Sequence, residues 1–187
     1  MVNKGTKTIT TSRLILRQFR YEDAVGMYKN WASDPEVVKF LTWPAHKDVE
    51  LTKILLSDWI ERYTDSAYYN WVIYHKEDGE IIGNISVVHL DEKIEAAEIG
   101  YCMGKAWWGQ AIMPEALKAV IAYLFSEVNL NRIAACYDSN NPKSGRVMEK
   151  AGMKLEGILR SAGINNQGVC NKVWYSIIRD EYKTEIN

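Results

Sequence analysis

A long helix that begins without a capping side chain constrains this sequence more than any other feature. In GKAWWGQAIMPEAL, from Gly104 to Leu117, helical spacing begins with no Ser, Thr, Asp or Asn to cap the first turn. First-turn N–H groups have no partner inside their helix, and the helix dipole places partial positive charge beside them. Gly109 lets another molecule approach the backbone closely, and Pro114 tolerates the first turn. The segment therefore predicts an anion site, above all for a diphosphate; water capping is the alternative.

Composition limits the class of protein. The chain has 187 residues, a formal net charge of −1 and 47% hydrophobic residues. This length suits one domain, and we place no boundary between residues 1 and 187. The near-zero charge argues against a nucleic-acid partner, and without an apolar run of about 18 residues we expect no membrane span. The N-terminal MVNKGTKTITTSR lacks the apolar core of a secretory signal.

The cysteines and histidines indicate neither disulfides nor a metal. Three cysteines, Cys102, Cys136 and Cys170, are widely spaced and form no C-x-x-C pair, which favours a reducing cytoplasm. The three histidines are scattered, with no H-x-x-x-H spacing. We therefore expect no metal and a cytoplasmic protein, as a monomer or a homodimer.

Periodicity predicts a mixed α/β or α+β domain with about seven strands and about four helices. A strand over RLILRQF precedes helices at YEDAVGMYKNWA and over Val49–Tyr63. The second helix has Leu51, Ile54, Leu55 and Trp59 on its apolar stripe. YYNWVIYHK and EIIGNISVVHL flank Asp78-Gly79, a strong two-residue hairpin signal. The segment 94–137 reads as strand, long helix and strand, which is a parallel crossover unit. The rest of the sheet should be largely antiparallel, closing with a hairpin around NNQG.

A second motif, NNPKSGRVMEKAGM, strengthens the prediction of a site. Asn141 and Pro142 suit the start of a helix, and Gly152 suits its end. A purely structural helix accounts for all three residues. The functional alternative is that Asn141 and Ser144 face a cleft.

Together, EIGYCMGKAWWGQAIMPEAL and NNPKSGRVMEKAGM resemble the acetyl-CoA-binding core of the GNAT acetyltransferase superfamily. The similarity is greatest to the branch of RimJ/RimL-type ribosomal-protein N-terminal acetyltransferases, and it extends to TSRLILRQFRYEDA and DPEVVKFLTWP. It implies the GNAT fold, a mostly antiparallel mixed sheet with a V-shaped splay between its fourth and fifth strands. It also implies acetyl-CoA as the cosubstrate.

The resemblance implies roles for individual residues. Backbone N–H groups near Gly109 hold the diphosphate, the preceding strand pairs with the pantetheine arm, and Asn141 and Ser144 lie near the pantetheine and its sulfur. The implied cosubstrate-binding residues are Tyr101, Cys102, Met103, Trp108, Gly109, Gln110, Ala111, Ile112, Met113, Asn141 and Ser144. Ala106 stands where the family usually has Gln or Arg, Ala111 where Gly is commoner, and Lys150 where some members have Tyr.

The implied reaction is attack of a neutral primary amine on a thioester. A peptide α-amine has a pKa of about 7.7–8.0 and a lysine of about 10.4, a difference of about 3.4 kcal/mol. Because no histidine stands beside the motifs, an α-amine or a water-relayed proton is favoured. Glu98 is the candidate base. Ser144 is the candidate acid for the thiolate, with Tyr137 as its rival. An acyl-Cys136 intermediate lacks an adjacent base.

The acceptor site should lie between the early helices and the late hairpin. Aromatic residues there form a candidate wall: Trp31, Trp43 and Trp71, together with Phe40 and Tyr69. Glu156 and Asn165 are further candidates for contact with the amine. The acceptor is a peptide N-terminus or a small primary amine such as a polyamine, amino sugar or antibiotic. A non-catalytic acetyl-CoA sensor is the third alternative.

Overall fold

An eight-stranded sheet runs through the centre of the molecule, and helices pack on both of its faces. The computed structural model describes residues 1–186. Its strands are β1 (Ile9–Thr10), β2 (Leu14–Arg17), β3 (Asn70–His75), β4 (Glu80–Asp91), β5 (Ala96–Met103), β6 (Arg132–Asp138), β7 (Lys154–Asn165) and β8 (Gly168–Ile178). Its helices are α1 (Asp23–Met27, continued by a π-helical turn to Ala32), α2 (Pro35–Val38), α3 (Val49–Arg62), α4 (Ile112–Ser126), α5 (Pro142–Lys150) and α6 (Arg179–Ile186).

The strand order is β1-β2-β3-β4-β5-β6-β8-β7. Only β5 and β6 run parallel, joined by the α4 crossover, and all other neighbours are antiparallel. This confirms the predicted mixed, mostly antiparallel sheet. The additional strand is β1, whose two residues carry too little periodicity to be predicted. Two short helices, α2 and α6, likewise raise the helix count above four.

The sheet opens between β5 and β6, the fourth and fifth of the predicted strands. Their pairing ends at Glu98 and Ala134, although β5 continues to Met103 and β6 to Asp138. The unpaired ends leave a V-shaped gap, as expected. Because β5 and β6 are parallel, the helices that follow them, α4 and α5, both begin at this open edge.

Alternation along the strands divides the core into two clusters. Ile73 and Ile99 pack with α4 and α5 on one face, which we call the α4 face. Val72 packs with α1 and α3 on the other, the α1 face. Successive side chains of a strand point to opposite faces, so both faces of the central strands are covered. No helix within residues 1–186 combines the length and apolar character needed to cross a bilayer.

The apolar stripe predicted for α3 is wrong in part. Leu51 and Ile54 are exposed, whereas Leu55 and Trp59 of the same stripe pack against the core. Thr52 and Leu56 are fully buried, and the Thr52 hydroxyl lies 2.7 Å from Nδ1 of the buried His46. A polar pair thus occupies part of the interface that the pattern assigned to apolar side chains.

Candidate active site

The start of α4 has the geometry of an anion site. Gly109 (φ 81°) and Ala111 (φ 57°) both adopt left-handed conformations, and Ala111 occupies the N-cap without a side-chain hydrogen bond within the described chain. Left-handed residues in such a turn direct successive N–H groups toward one point, as in an anion-binding nest. Ile112 and Met113 are buried and anchor this first turn in the core. Their side chains therefore serve the fold while their N–H groups remain at the rim.

The loop before α4 leaves room for a ligand. A Cβ built on Gly109 meets no atom of residues 1–186 within 4 Å. The Trp108 indole donates to the Met103 carbonyl at 2.7 Å, and the Lys143 ammonium lies 5.3 Å from its ring centroid. Gln110 donates to the Ala106 carbonyl at 3.0 Å, so its amide braces the loop. Uncapped N–H groups, open space and a nearby cation together fit a diphosphate.

The end of β5 presents backbone to the gap. Beyond Glu98 this strand pairs only with β4, so the polar groups on its other edge are available to an extended ligand. Cys102 points to the α1 face, where its thiol donates to Asn84 Oδ1 at 2.9 Å and burial raises its pKa to about 12. Cys102 therefore has only backbone to offer at the gap.

Tyr101 joins the two motifs. Its hydroxyl donates to the Ser144 carbonyl at 3.0 Å and lies 3.0 Å from Ser144 Oγ, with burial raising its pKa. Asn141 occupies the N-cap of α5, but its side chain makes no capping bond among the described residues. The structure thus brings Tyr101, Ser144 and the free Asn141 amide to one end of the gap.

Tyr137 stands on the other wall of the gap. A Cβ built on Gly145 would lie 2.6 Å from the Tyr137 hydroxyl. Only glycine at this position of α5 allows the ring to lie against the helix. The predicted acid candidates Ser144 and Tyr137 are therefore both close to the start of α5.

Glu98 lies at the apex of the gap, on the α1 face. Its Oε1 accepts a hydrogen bond at 3.4 Å from the thiol of Cys136, which lies just beyond Ala134, the last ladder partner of Glu98. Burial raises the pKa of Cys136 to about 11, which keeps the thiol protonated. A protonated thiol is a poor nucleophile, so this geometry does not suit an acyl-cysteine route.

A histidine that sequence reasoning missed lies beside Glu98. His89 is directly opposite Glu98 in the β4–β5 ladder. A bulge between Val87 and His89 leaves Val88 unpaired and places His89 on the same face as Glu98. Opposed side chains have Cβ atoms about 4.5–5.5 Å apart. Because a bulge reverses the alternation of a strand, no simple period could have found this pair.

The tip of the β7–β8 hairpin is hydrogen-bonded to the segment around α2. Asn166 donates through its amide to the carbonyls of Val38 (2.9 Å) and Trp43 (2.7 Å), and through its backbone N–H to Leu41 (3.1 Å). We call this set of three hydrogen bonds the hairpin latch. It joins the hairpin tip to the end of α2 and to the loop that follows α2.

Three of the five predicted aromatic wall residues are misplaced. Trp31 and Trp71 are fully buried, and the Trp71 indole donates to the Lys7 carbonyl at 2.7 Å. Both fill the core because large rings gain most from complete burial, which corrects the expectation that they line the cleft. Tyr69 is also fully buried. Trp43, half-buried and 5.4 Å from His46, remains beside the latch, and Phe40 is half-buried in the same loop.

The two polar acceptor candidates have partners elsewhere. Asn165 donates to Asp138 at 2.7 Å and so anchors the hairpin to β6. Glu156 forms an ion pair with Arg132, and its carboxylate accepts a hydrogen bond from the Ser176 hydroxyl at 2.8 Å. Arg132 belongs to the paired part of the β5–β6 ladder, away from the gap. Both contacts are structural in character. Within residues 1–186, no group of three or more His, Cys, Asp or Glu side chains could hold a metal ion.

Comparisons with known proteins agree with this geometry. The family model for the acetyltransferase (GNAT) domain matches residues 13–154. The uncharacterized N-acetyltransferase p20 of Bacillus licheniformis is 30% identical over 176 residues, which cover 94% of this chain and 98% of the relative. The [ribosomal protein uS5]-alanine N-acetyltransferase of Escherichia coli is 30% identical over 80% of this chain and 79% of its own.

A solved structure shows the same fold. RimL, a ribosomal α-N-protein acetyltransferase in complex with coenzyme A, matches with a TM-score of 0.83 at 21% identity, covering 94% of this chain and 99% of that chain. The uncapped α4, the splay and the family match agree on one assignment. This chain belongs to the GNAT acetyltransferases and is an acetyl-CoA-dependent N-acetyltransferase.

Proposed function

We propose that this enzyme acetylates the N-terminal α-amino group of a protein or peptide. The observation that supports an α-amine as the acceptor is the pair of Glu98 and His89, which lie side by side where β5 and β6 separate. A carboxylate and an imidazole are both weak bases, and such bases suit an amine that is already partly neutral.

The pKa difference makes this argument quantitative. An α-ammonium with a pKa of about 7.8 is easier to deprotonate than a lysine ammonium with a pKa of about 10.4 by about 3.5 kcal/mol, whichever group accepts the proton. A site that offers no strong base therefore depends on this difference, which supports an α-amine as the acceptor.

The residues of this chain would hold the cosubstrate in place. N–H groups of the α4 nest bind the diphosphate, and the free edge of β5 and the Asn141 amide bind the pantetheine arm. Acetyl-CoA, when bound, supplies the acetyl group as a reactive thioester. Glu98, aided by His89, accepts the proton of the amine, directly or through water. Ser144, held by Tyr101, donates a proton to the departing thiolate.

The hairpin latch supports a chain terminus as the acceptor. It links the β7–β8 hairpin to α2 and the loop that follows α2, and we expect the acceptor to enter beneath this bridge as a free chain end. A flexible N-terminus meets this requirement. Two of the relatives compared are named for acetylation of ribosomal proteins at their N-termini or at alanine, which agrees with this acceptor.

A peptide and small-amine panel tests the proposal. Short peptides with free Ala or Ser N-termini, the same peptides with blocked N-termini and one internal lysine, spermidine and an amino sugar are each mixed with acetyl-CoA. Thiol release and product mass are measured. Turnover of the free N-termini alone is expected. Turnover of the small amines with inert peptides would assign the alternative, and CoA binding without any turnover would indicate a sensor.

A further inference from the structure

The loop that forms the α4 nest is gripped from outside by an arginine of the β1–β2 turn. Arg13 donates from Nη1 to the Gln110 carbonyl at 3.0 Å and from Nη2 to the Ala111 carbonyl at 3.1 Å. Its Nε donates to Glu115 Oε2 at 2.7 Å. We propose that Arg13 is a positioning residue that sets the nest for the diphosphate of acetyl-CoA before the cosubstrate arrives.

Peptide geometry links the grip to the nest. In a trans peptide the carbonyl and the following N–H point in opposite directions from one plane. With the carbonyls of Gln110 and Ala111 held toward Arg13, the N–H groups of Ala111 and Ile112 must point away from it. One guanidinium therefore orients two consecutive donors without contacting the ligand.

The nest needs such support because Ala111 is left-handed. A residue with a Cβ is strained in this conformation relative to the right-handed form. Hydrogen bonds from a charged donor to the two carbonyls offset that strain. Arg13 thus stabilises a backbone shape that Gly would adopt without help.

Arg13 is itself held rigidly. Glu115 also accepts hydrogen bonds from the Thr11 hydroxyl (2.6 Å), the Ser12 hydroxyl (3.1 Å) and the Arg13 backbone N–H (3.1 Å). Burial alone raises the pKa of Glu115, but the bonds from Thr11, Arg13 and Ser12 outweigh it and lower the pKa to about 2. The carboxylate is therefore ionised at neutral pH and fixes the guanidinium.

Lysine cannot reproduce this arrangement. The guanidinium is planar and presents its donors as a fork, whereas an ammonium is a single point with no fixed plane. Each of the three guanidinium nitrogens of Arg13 donates to a different acceptor: two loop carbonyls and the carboxylate of Glu115 in α4. Arg13→Lys should therefore restore little of what Arg13→Met loses.

Calorimetry with CoA gives the first test, and it depends on the cosubstrate rather than on the proposed acceptor. Arg13→Met and Arg13→Lys are each expected to raise the Kd for CoA about tenfold, the effect of losing one charge-assisted hydrogen bond. Lys76→Met is the matched control. Lys76 donates to the carbonyls of Thr11 (2.5 Å) and Ser12 (3.3 Å) in the same turn and makes no bond to the loop before α4. The Kd of the Lys76→Met variant for CoA should therefore stay within about twofold of the wild-type value.

A truncated acetyl donor separates positioning from folding. S-acetylpantetheine lacks the diphosphate, so its kcat/KM with a fixed peptide should be unchanged in Arg13→Met, while that of acetyl-CoA falls about tenfold. This second arm rests on the proposed function, because it needs a working acceptor. Equal losses with both donors, or a CoA Kd unchanged in both Arg13 variants, would overturn the assignment. Wild-type CoA binding without peptide turnover would instead refute only the proposed acceptor.

Discussion

The Cys136 thiol donates to the Glu98 carboxylate at 3.4 Å, at the point where β5 and β6 separate. This contact ties the two arms of the V at their apex. It also shows that Glu98 faces the gap rather than bulk solvent alone. Under the proposed function, this is the carboxylate that takes the proton of the acceptor amine.

Replacement of the apex bases should slow chemistry and spare cosubstrate binding. Glu98→Gln is expected to lower kcat/KM for the peptide about 100-fold, the usual contribution of a positioned base. His89→Gln should cause a smaller loss if the imidazole only relays the proton. Steady-state kinetics and CoA calorimetry measure both effects. Near wild-type turnover in both variants would remove these residues from the proton path.

The Ser144 hydroxyl, in the first turn of α5, should assist departure of the thiolate. Ser144→Ala is expected to lower kcat about tenfold or more with little change in the peptide KM, because a general acid acts only as the thiolate departs. Tyr137→Phe is the comparison, since Tyr137 is the rival acid. A loss confined to Tyr137→Phe would reverse the assignment.

Glu115 should make the free energy of unfolding depend on pH in the acid range. Its folded pKa of about 2 lies below the ordinary value of 4.5, so its stabilisation is complete above pH 4.5 and disappears as pH falls toward 2. Glu115→Gln should lower the free energy of unfolding by about 1.5–3 kcal/mol at pH 7. Urea unfolding at pH 7, 4.5 and 3 should show the two proteins converging as pH falls. A gap of constant size at all three pH values would contradict this origin.

Loss of the hairpin latch should act on the acceptor alone. Asn166→Ala removes both amide bonds to the loop after α2 and is expected to raise the peptide KM about fivefold or more while leaving the CoA Kd unchanged. Gln167→Ala, in the same turn, is the control because its amide reaches only the Asn166 carbonyl at 3.3 Å. A change in CoA affinity alone would show that the latch serves the cofactor side instead.

Local sequence signals predicted most of the architecture. The hairpin at Asp78-Gly79, the parallel crossover and the uncapped start of α4 each follow from short-range chemistry, and all three are present. The hairpin loop is longer than the predicted two residues and runs over residues 76–79. Gly152 likewise ends α5 in a left-handed conformation. These features depend on residues close in sequence, which periodicity and turn preferences describe well.

Long-range contacts set the parts that the sequence did not reveal. The bulge at Val88 brings His89 beside Glu98, and no alternation rule anticipates where a strand gains a residue. Arg13 reaches the cofactor loop from almost a hundred positions away. Trp31 and Trp71 are as apolar as any cleft aromatic, so composition could not tell core from site. Such placements depend on contacts between elements that are distant in sequence.

The early end of the β5–β6 ladder also provides a natural reporter. Part of the backbone between residues 99 and 103 has no strand partner on the gap side, so its amides should exchange with deuterium quickly in the free enzyme. A bound pantetheine arm would slow them. Mass-resolved labelling of this one segment could thus follow occupancy in real time, with no chromophore and no knowledge of the acceptor.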